Sequence, residues 1–170
     1  TLVLLLAPRR MERVDEVADL LRQHNLPFLL RSEFKRTGPR PQDVVLIDSI
    51  GELAKLYAIA HVAFVGNSLV RPGGGHSLIE PAVQGVPVLH GPYIENVADT
   101  AQLLGKNRLA IRVKDAAEME EFLGVLLQNF GQLAKNAPSI LKEFKGASHK
   151  MADQVLAELD RNGAENKSGS

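Results

Sequence analysis

The sequence predicts an α/β fold: an open parallel sheet of about six strands with helices on both faces. Three observations lead there. Short, wholly apolar runs such as Leu2–Ala7, Val44–Ile47 and Val62–Val65 carry no polar alternation, the pattern of strands covered on both faces. Between them lie stretches with apolar residues at helical spacing. Strand and helix alternate along the chain, which is the order that builds parallel sheets.

Each element follows in turn. Leu2 to Ala7, ended by Pro8, is read as a central strand. Val14, Val17, Ala18 and Leu21 then mark an amphipathic helix. Leu26 to Leu30, broken only by Pro27, gives the second strand, and Arg31 to Gln42, with Gly38, Pro39 and Pro41, gives a charged loop. Val44 to Ile47 is the third strand. Ser49 then caps a helix with Glu52 as reciprocal partner, and Leu53, Leu56, Tyr57 and Ala60 line its buried face. Val62 to Val65 is the fourth strand, followed by a loop from Asn67 to Gly75 and a short helix from about Ser77 to Gln84. Val86 to Leu89 is the fifth strand and Gly91-Pro92 turns the chain. Val97, Ala101 and Leu104 mark a helix, and Leu109 to Val113 the sixth strand. Asp115 caps the next helix with Glu118, and Met119, Phe122, Leu123, Leu126 and Phe130 form its inner stripe. Residues 131–160 read as helical, with clusters at Leu133, Ile140, Leu141 and Phe144 and at Met151, Val155, Leu156 and Leu159.

Composition narrows the function. The chain has 170 residues, 45% hydrophobic and 24% charged, enough for a packed core. Twenty Lys and Arg balance twenty Asp and Glu, which argues against a general nucleic-acid binder while leaving room for a local basic pocket. The absence of cysteine removes disulfides, thiolate nucleophiles and Cys-based zinc sites. The five histidines show no metal-ligand spacing, so no metal and no cofactor are expected. The longest apolar run is far short of the roughly 20 residues of a membrane span. Opening on Thr1 directly before a strand-like run reads as a piece of a longer protein.

The most informative segment runs from Gly66 to Pro81. A strand delivers the chain to Gly73-Gly74-Gly75, and a helix follows. Glycines let backbone N–H groups converge on an anion, a helix start adds positive potential, and Arg71 adds a full charge. The same residues also make an ordinary surface loop. Glu80 could take the hydroxyls of a ribose, or form a capping box with Ser77. His76 could donate to a phosphate or carboxylate, or support the loop. Arg9 and Arg10 follow the first strand, where such sheets bind ligands, and an arginine there can hold a phosphate or carboxylate. Arg31-Ser32 and Lys35 to Gly38 form a small basic stretch, read mainly as solvated. Ser49 follows the third strand. Gly91 to Asn96 follow the fifth, where Asn96 could meet a ligand and Tyr93 flank it.

From Ala7 to Leu159 the chain resembles the C-terminal domain of the 3-deoxy-D-manno-octulosonic acid (Kdo) transferases. The resemblance rests on an ordered set: Ala7-Pro8-Arg9 with Glu12-Arg13; Arg31-Ser32; Asp48-Ser49-Ile50-Gly51-Glu52-Leu53 with Leu56-Tyr57; Ala63 to Gly66; Ser68-Leu69-Val70; Gly74-Gly75-His76; Leu78 to Pro81; Gly85 to Val88; and Gly91-Pro92 with Glu95-Asn96. It implies a Rossmann-like domain, the C-terminal half of a GT-B glycosyltransferase, holding the donor CMP-Kdo. On that resemblance residues 1–163 are the nucleotide-sugar domain and 164–170 a disordered or extraneous tail. Donor binding then falls to Arg9, Arg10, Ser49, Arg71, Gly73, Gly74, Gly75, His76, Ser77, Glu80 and Asn96, with Arg9 at the phosphate and Glu80 at the ribose. The sequence departs from the family pattern at Arg10, often histidine there, at Arg71-Pro72 with an added glycine, and at Ser77, which replaces asparagine. The resemblance places the catalytic base and the acceptor surface, for a lipid A precursor, in an N-terminal domain, and the whole enzyme at the cytoplasmic face of the bacterial inner membrane. The alternatives are a GT-B donor domain for a UDP- or GDP-sugar, and a non-catalytic nucleotide-binding domain.

Overall fold

In the computed structural model, residues 2–34, 43–106 and 108–128 are described. The chain divides into two compact units after Leu56. The first holds strands β1 (Leu4–Leu6), β2 (Phe28–Leu30) and β3 (Val44–Leu46), with helix α1 (Val14–Gln23) after a 3-10 turn at Met11–Arg13. Helix α2 (Leu53–Tyr57) ends at the division. The second holds β4 (Ala63–Val65), α3 (Ile79–Ala82), β5 (Val88–His90), α4 (Ala98–Lys106), β6 (Ala110–Arg112) and a helix α5 over 116–128.

Among the described residues all strand pairs are parallel, but the six strands make two sheets, ordered β1-β3-β2 and β4-β5-β6, where the sequence reading expected one. Hydrophobic runs mark strands without naming their partners, so pairing was beyond them. The first strand is also corrected. It lies at an edge of its sheet, with Leu2 61% and Leu4 51% exposed, while β3 is central and buried along its length. A run of leucines signals affinity for a core, but the position in the sheet is set by which strand finds a partner on each side.

In the first unit, α1 sets Val14, Ala18 and Leu21 against Val44 and Leu46, flanked by Leu6, Phe28 and Leu30. These strand residues share one face, because Leu6 and Leu30 both pair with Leu46 and Phe28 pairs with Val44. The second unit covers both faces of its sheet. Val65, Val88 and Ala110 pack under Ala82, Ala101 and Leu104, while Leu89 and Ile111, one residue along, pack against Met119, Phe122 and Leu126 of α5. Val88, Leu89 and Leu104 are fully buried, each contributing roughly 1.5–3 kcal/mol. Asp115 caps α5 as expected, its carboxylate accepting the Glu118 N–H at 2.9 Å. Glu118 reaches back to the Lys114 N–H at 2.6 Å, one residue earlier than a standard capping box.

Smaller differences have local causes. Pro27 trims the second strand to Phe28–Leu30. Leu53 of α2 is exposed and Leu56 and Tyr57 are half-buried, so this one-turn helix has no fully buried face. The expected core residue Phe130, the helices of 131–160, the tail 164–170 and the basic stretch Lys35 to Gly38 lie outside the described residues. Among the described residues, no helix is long and apolar enough to cross a membrane.

Candidate functional site

Two loops meet in the second unit because their strands are parallel neighbours. The loop after β4 and the loop after β5 leave adjacent strand ends and bond to each other throughout. Ser68 is the first tie. It is 1% exposed; its hydroxyl donates to the Val65 carbonyl at 2.7 Å and accepts the Gly91 N–H at 2.9 Å. The Tyr93 N–H donates to the Ser68 carbonyl (2.9 Å), the Gly74 N–H to the Tyr93 carbonyl (3.0 Å) and the Asn96 N–H to the Gly74 carbonyl (3.0 Å). Within the first loop the Gly75 N–H donates to the Asn67 carbonyl (2.9 Å), and the Asn67 amide side chain donates to the Gly73 carbonyl (2.9 Å).

This lacing explains the glycines and corrects their expected role. A Cβ on Gly73 would stand 2.5 Å from the Tyr93 Cβ, and Gly74 and Gly75 have φ of +113° and +73°. They permit close approach and left-handed backbone. The N–H groups of Gly74 and Gly75 do not converge on an open anion site, because both are consumed by carbonyls of the laced loops. Buried N–H groups need partners, and the parallel strand spacing puts carbonyls within reach.

Around this scaffold sit the polar candidates. Arg71 is exposed and its guanidinium lies over the Tyr93 ring, 4.7 Å from the centroid. The His76 Nδ1 bonds to the Gly75 carbonyl at 3.0 Å, an acceptor, so Nδ1 carries the proton. Glu80 is exposed at the second position of α3, and Ser77 is exposed just before it. The Ser77–Glu80 capping box does not form: the N-cap is Leu78 and no side chain caps the helix. Asn96 is exposed, with its side chain beside Gly74. Arg71, Gly73, Gly74, Gly75, His76, Ser77, Glu80 and Asn96 therefore share one pair of laced loops and the helix that follows.

The other three candidates belong to the first unit. Arg9 and Arg10 are exposed directly after β1. Ser49 follows β3 and is part of a latch that the sequence reading missed. Its hydroxyl donates to Glu52, side chain to side chain, in place of the backbone cap expected. Glu52 also accepts from Arg31 at 2.9 Å. Asp48 accepts the Ser32 N–H at 2.8 Å and the Ser32 hydroxyl. Ser32 is exposed and Arg31 half-buried, so the pair meets solvent, but it also ties the end of β2 to the end of β3. The latch sets its own electrostatics. Burial pushes the Asp48 carboxyl up, but the Ser32 bonds and the Arg31 charge outweigh it and hold the group below its ordinary value. Glu52 is likewise lowered: the Ser49 hydrogen bond is the largest influence, burial opposes it, and the Arg31 charge and hydrogen bond add to the lowering.

Two further groups lie outside the sequence candidates: Tyr57, read only as helix packing, and His90, which the sequence reading does not single out. Tyr57 is half-buried; burial raises its phenol, and the charge of Glu80 raises it further, placing Tyr57 within electrostatic reach of the candidate carboxylate. Its signal in the sequence was the Leu56-Tyr57 pair. His90 is buried with its Nδ1 proton donated to the Gly91 carbonyl at 2.8 Å. Burial, then repulsion from Arg112, lowers its pKa despite that bond, so it stands neutral. A concavity of the first unit, lined by Arg22, Asn25, Leu26, Pro27, Phe28, Leu30 and Glu33, contains none of the candidates. Among the described residues no group of three His, Cys, Asp or Glu could hold a metal ion.

No protein-family model matches the chain. Among curated proteins it is 34% identical over 165 residues to a 3-deoxy-D-manno-octulosonic acid transferase of Haemophilus influenzae, covering 95% of this chain and 38% of that protein. It is 33% identical over 117 residues to a bifunctional glycosyltransferase/methyltransferase of Fusobacterium nucleatum, covering 68% of this chain and 18% of that protein. The chain thus spans less than half the length of these relatives. Among solved structures it matches the C-terminal CMP-Kdo binding domain of WaaA from Acinetobacter baumannii with a TM-score of 0.73 and 33% identity, covering 82% of this chain and 73% of that one. With the laced glycine loop and the ordered motifs in place, the chain belongs to the 3-deoxy-D-manno-octulosonic acid transferase family and corresponds to its C-terminal domain.

Proposed function

We propose that this chain binds CMP-Kdo and serves as the donor-binding half of a GT-B Kdo transferase. The observation that carries the reading is the 33% identity and 0.73 TM-score to a CMP-Kdo binding domain. On this reading residues 1–163 form the donor domain. The whole protein has an N-terminal domain that binds a lipid A precursor and works at the cytoplasmic face of the bacterial inner membrane.

The reaction divides accordingly. An acceptor hydroxyl attacks the anomeric carbon of Kdo and loses its proton to a base of the N-terminal domain. The bond from that carbon to the phosphate oxygen breaks, and the electron pair leaves with CMP. The donor domain binds and stabilises the leaving group. Arg9, with Arg10 beside it, offers charge-assisted hydrogen bonds to the phosphate, where negative charge grows as CMP departs. Glu80 accepts the ribose hydroxyls. His76, Ser77 and Asn96 supply the remaining polar contacts. Ser49, whose proton is given to Glu52, remains an acceptor for a donor hydroxyl. The glycines hold the loop shape instead of supplying its anion contacts.

Titration calorimetry with CMP, CDP and UDP tests this. CMP should bind, and Arg9→Ala or Glu80→Gln should each weaken it by roughly 1–3 kcal/mol, the cost of unpairing a charged hydrogen bond. Tighter binding of UDP would favour another GT-B donor. Affinity unchanged by either substitution would overturn the assigned site and favour a non-catalytic domain.

A further inference from the structure

Three arginines of the described residues lie on carboxylates: Arg13 on Glu16 at 2.9 Å, Arg22 on Asp19 at 2.7 Å and Arg31 on Glu52 at 2.9 Å. Arg71 is different. Among the described residues no carboxylate pairs with it; its guanidinium lies over the Tyr93 ring, 4.7 Å from the centroid. Tyr93 is a fixed platform. Its N–H donates to the Ser68 carbonyl and its carbonyl accepts the Gly74 N–H, so both of its backbone polar groups are tied into the laced loops. The neighbouring Gly73 has no room even for a Cβ beside the Tyr93 Cβ. Stacking uses the face of a guanidinium and leaves its N–H donors around the edge. An exposed, oriented, unneutralised fork therefore stands on the loop that also carries His76 and precedes Glu80.

We propose that Arg71 is a specificity-determining residue that receives the carboxylate of the donor's sugar acid; this rests on reading the donor as CMP-Kdo. Kdo is an octulosonic acid, so the donor carries a carboxylate besides its phosphate. A planar carboxylate matches two parallel N–H groups of a planar guanidinium. Holding the fork on Tyr93 before the ligand arrives reduces the side-chain freedom lost on binding. The chain is neutral overall, so selection for an acidic sugar has to come from such a local cation.

The test compares CMP with CMP-Kdo on the 170-residue chain by calorimetry. Arg71→Ala should weaken CMP-Kdo roughly tenfold to a hundredfold, the loss expected of a charged hydrogen bond, and leave CMP within about twofold. Arg71→Lys keeps the charge without the fork and should recover only part of the loss. Tyr93→Phe keeps the platform and should bind CMP-Kdo like the unaltered chain, whereas Tyr93→Leu should fall between it and Arg71→Ala. Urea midpoints matching the unaltered chain would exclude unfolding as the cause. Equal losses for both ligands in Arg71→Ala would assign the residue to the phosphate and overturn the proposal, as would no loss for either. Those outcomes leave the donor-binding reading standing. Binding of neither ligand by the unaltered chain would overturn both.

Discussion

Replacing Gly91 by alanine tests the lacing of the two loops. An added Cβ would lie 2.6 Å from the Leu69 nitrogen, where ordinary contact begins at 3.4 Å, an overlap of about 0.8 Å; it would stand closer still to the Ser68 carbonyl. The obstacles are backbone atoms of a buried segment, so no side chain can swing aside. Relief requires moving Ser68, which carries the Gly91 N–H on its hydroxyl and the Tyr93 N–H on its carbonyl. Overpacking costs about 1–3 kcal/mol, and each buried donor left unpaired adds about 1–3 kcal/mol. With both donors stranded the expected loss is about 3–9 kcal/mol, a large part of the 5–15 kcal/mol typical of a folded domain. Urea denaturation followed by far-UV circular dichroism measures it. Gly66→Ala is the control: a Cβ there meets nothing within 4 Å, and it should stay within about 1 kcal/mol of the unaltered chain. A Gly91→Ala variant as stable as the Gly66→Ala control would refute the lacing.

Further outcomes follow from the same contacts. Ser68→Ala should cost about 1–3 kcal/mol by stranding the Gly91 N–H, and should add less than its full cost on top of Gly91→Ala, because both act on one contact; full additivity in the urea midpoints would contradict this. Asp48 and Glu52 are held below their ordinary values of 3.8 and 4.5, so the latch contributes stability above those values that is lost as pH falls through the lowered ones. Comparing urea midpoints at successively lower pH, the Asp48→Asn/Glu52→Gln double variant should show the smaller acid loss. His90 is lowered from 6.5, so it costs nothing above that pH and destabilises the fold below it, where the unfolded chain takes up the proton first. His90→Gln should therefore lessen the decline in stability as pH falls through 6.5, and an unaltered slope would show that His90 is not held neutral.

Much of this was legible in the sequence where a local rule was enough. The α1 stripe of Val14, Ala18 and Leu21 is buried as its spacing requires, and the Asp115 cap forms because one side chain and one amide three residues away decide it. Pairing was not legible. Whether β1 neighbours β3 depends on atoms some forty residues apart, and the leucine run had no means of encoding it. The glycine loop lay between these cases. Three consecutive glycines announce close approach of backbone, but whether their N–H groups face a ligand or another loop depends on what Gly91 to Asn96 bring alongside. The latch was hidden for the same reason: Arg31-Ser32 reads as a solvated pair until Asp48 and Glu52 arrive beside it.

On the proposed function, this domain holds a cytidine nucleotide on the residues that follow its strands. Mapping amide chemical shifts during a CMP titration tests it most directly. Saturable shifts are expected at Arg9, along His76 to Glu80 and at Asn96. No saturable shift, or shifts confined to the concavity lined by Arg22, Phe28 and Glu33, would contradict it.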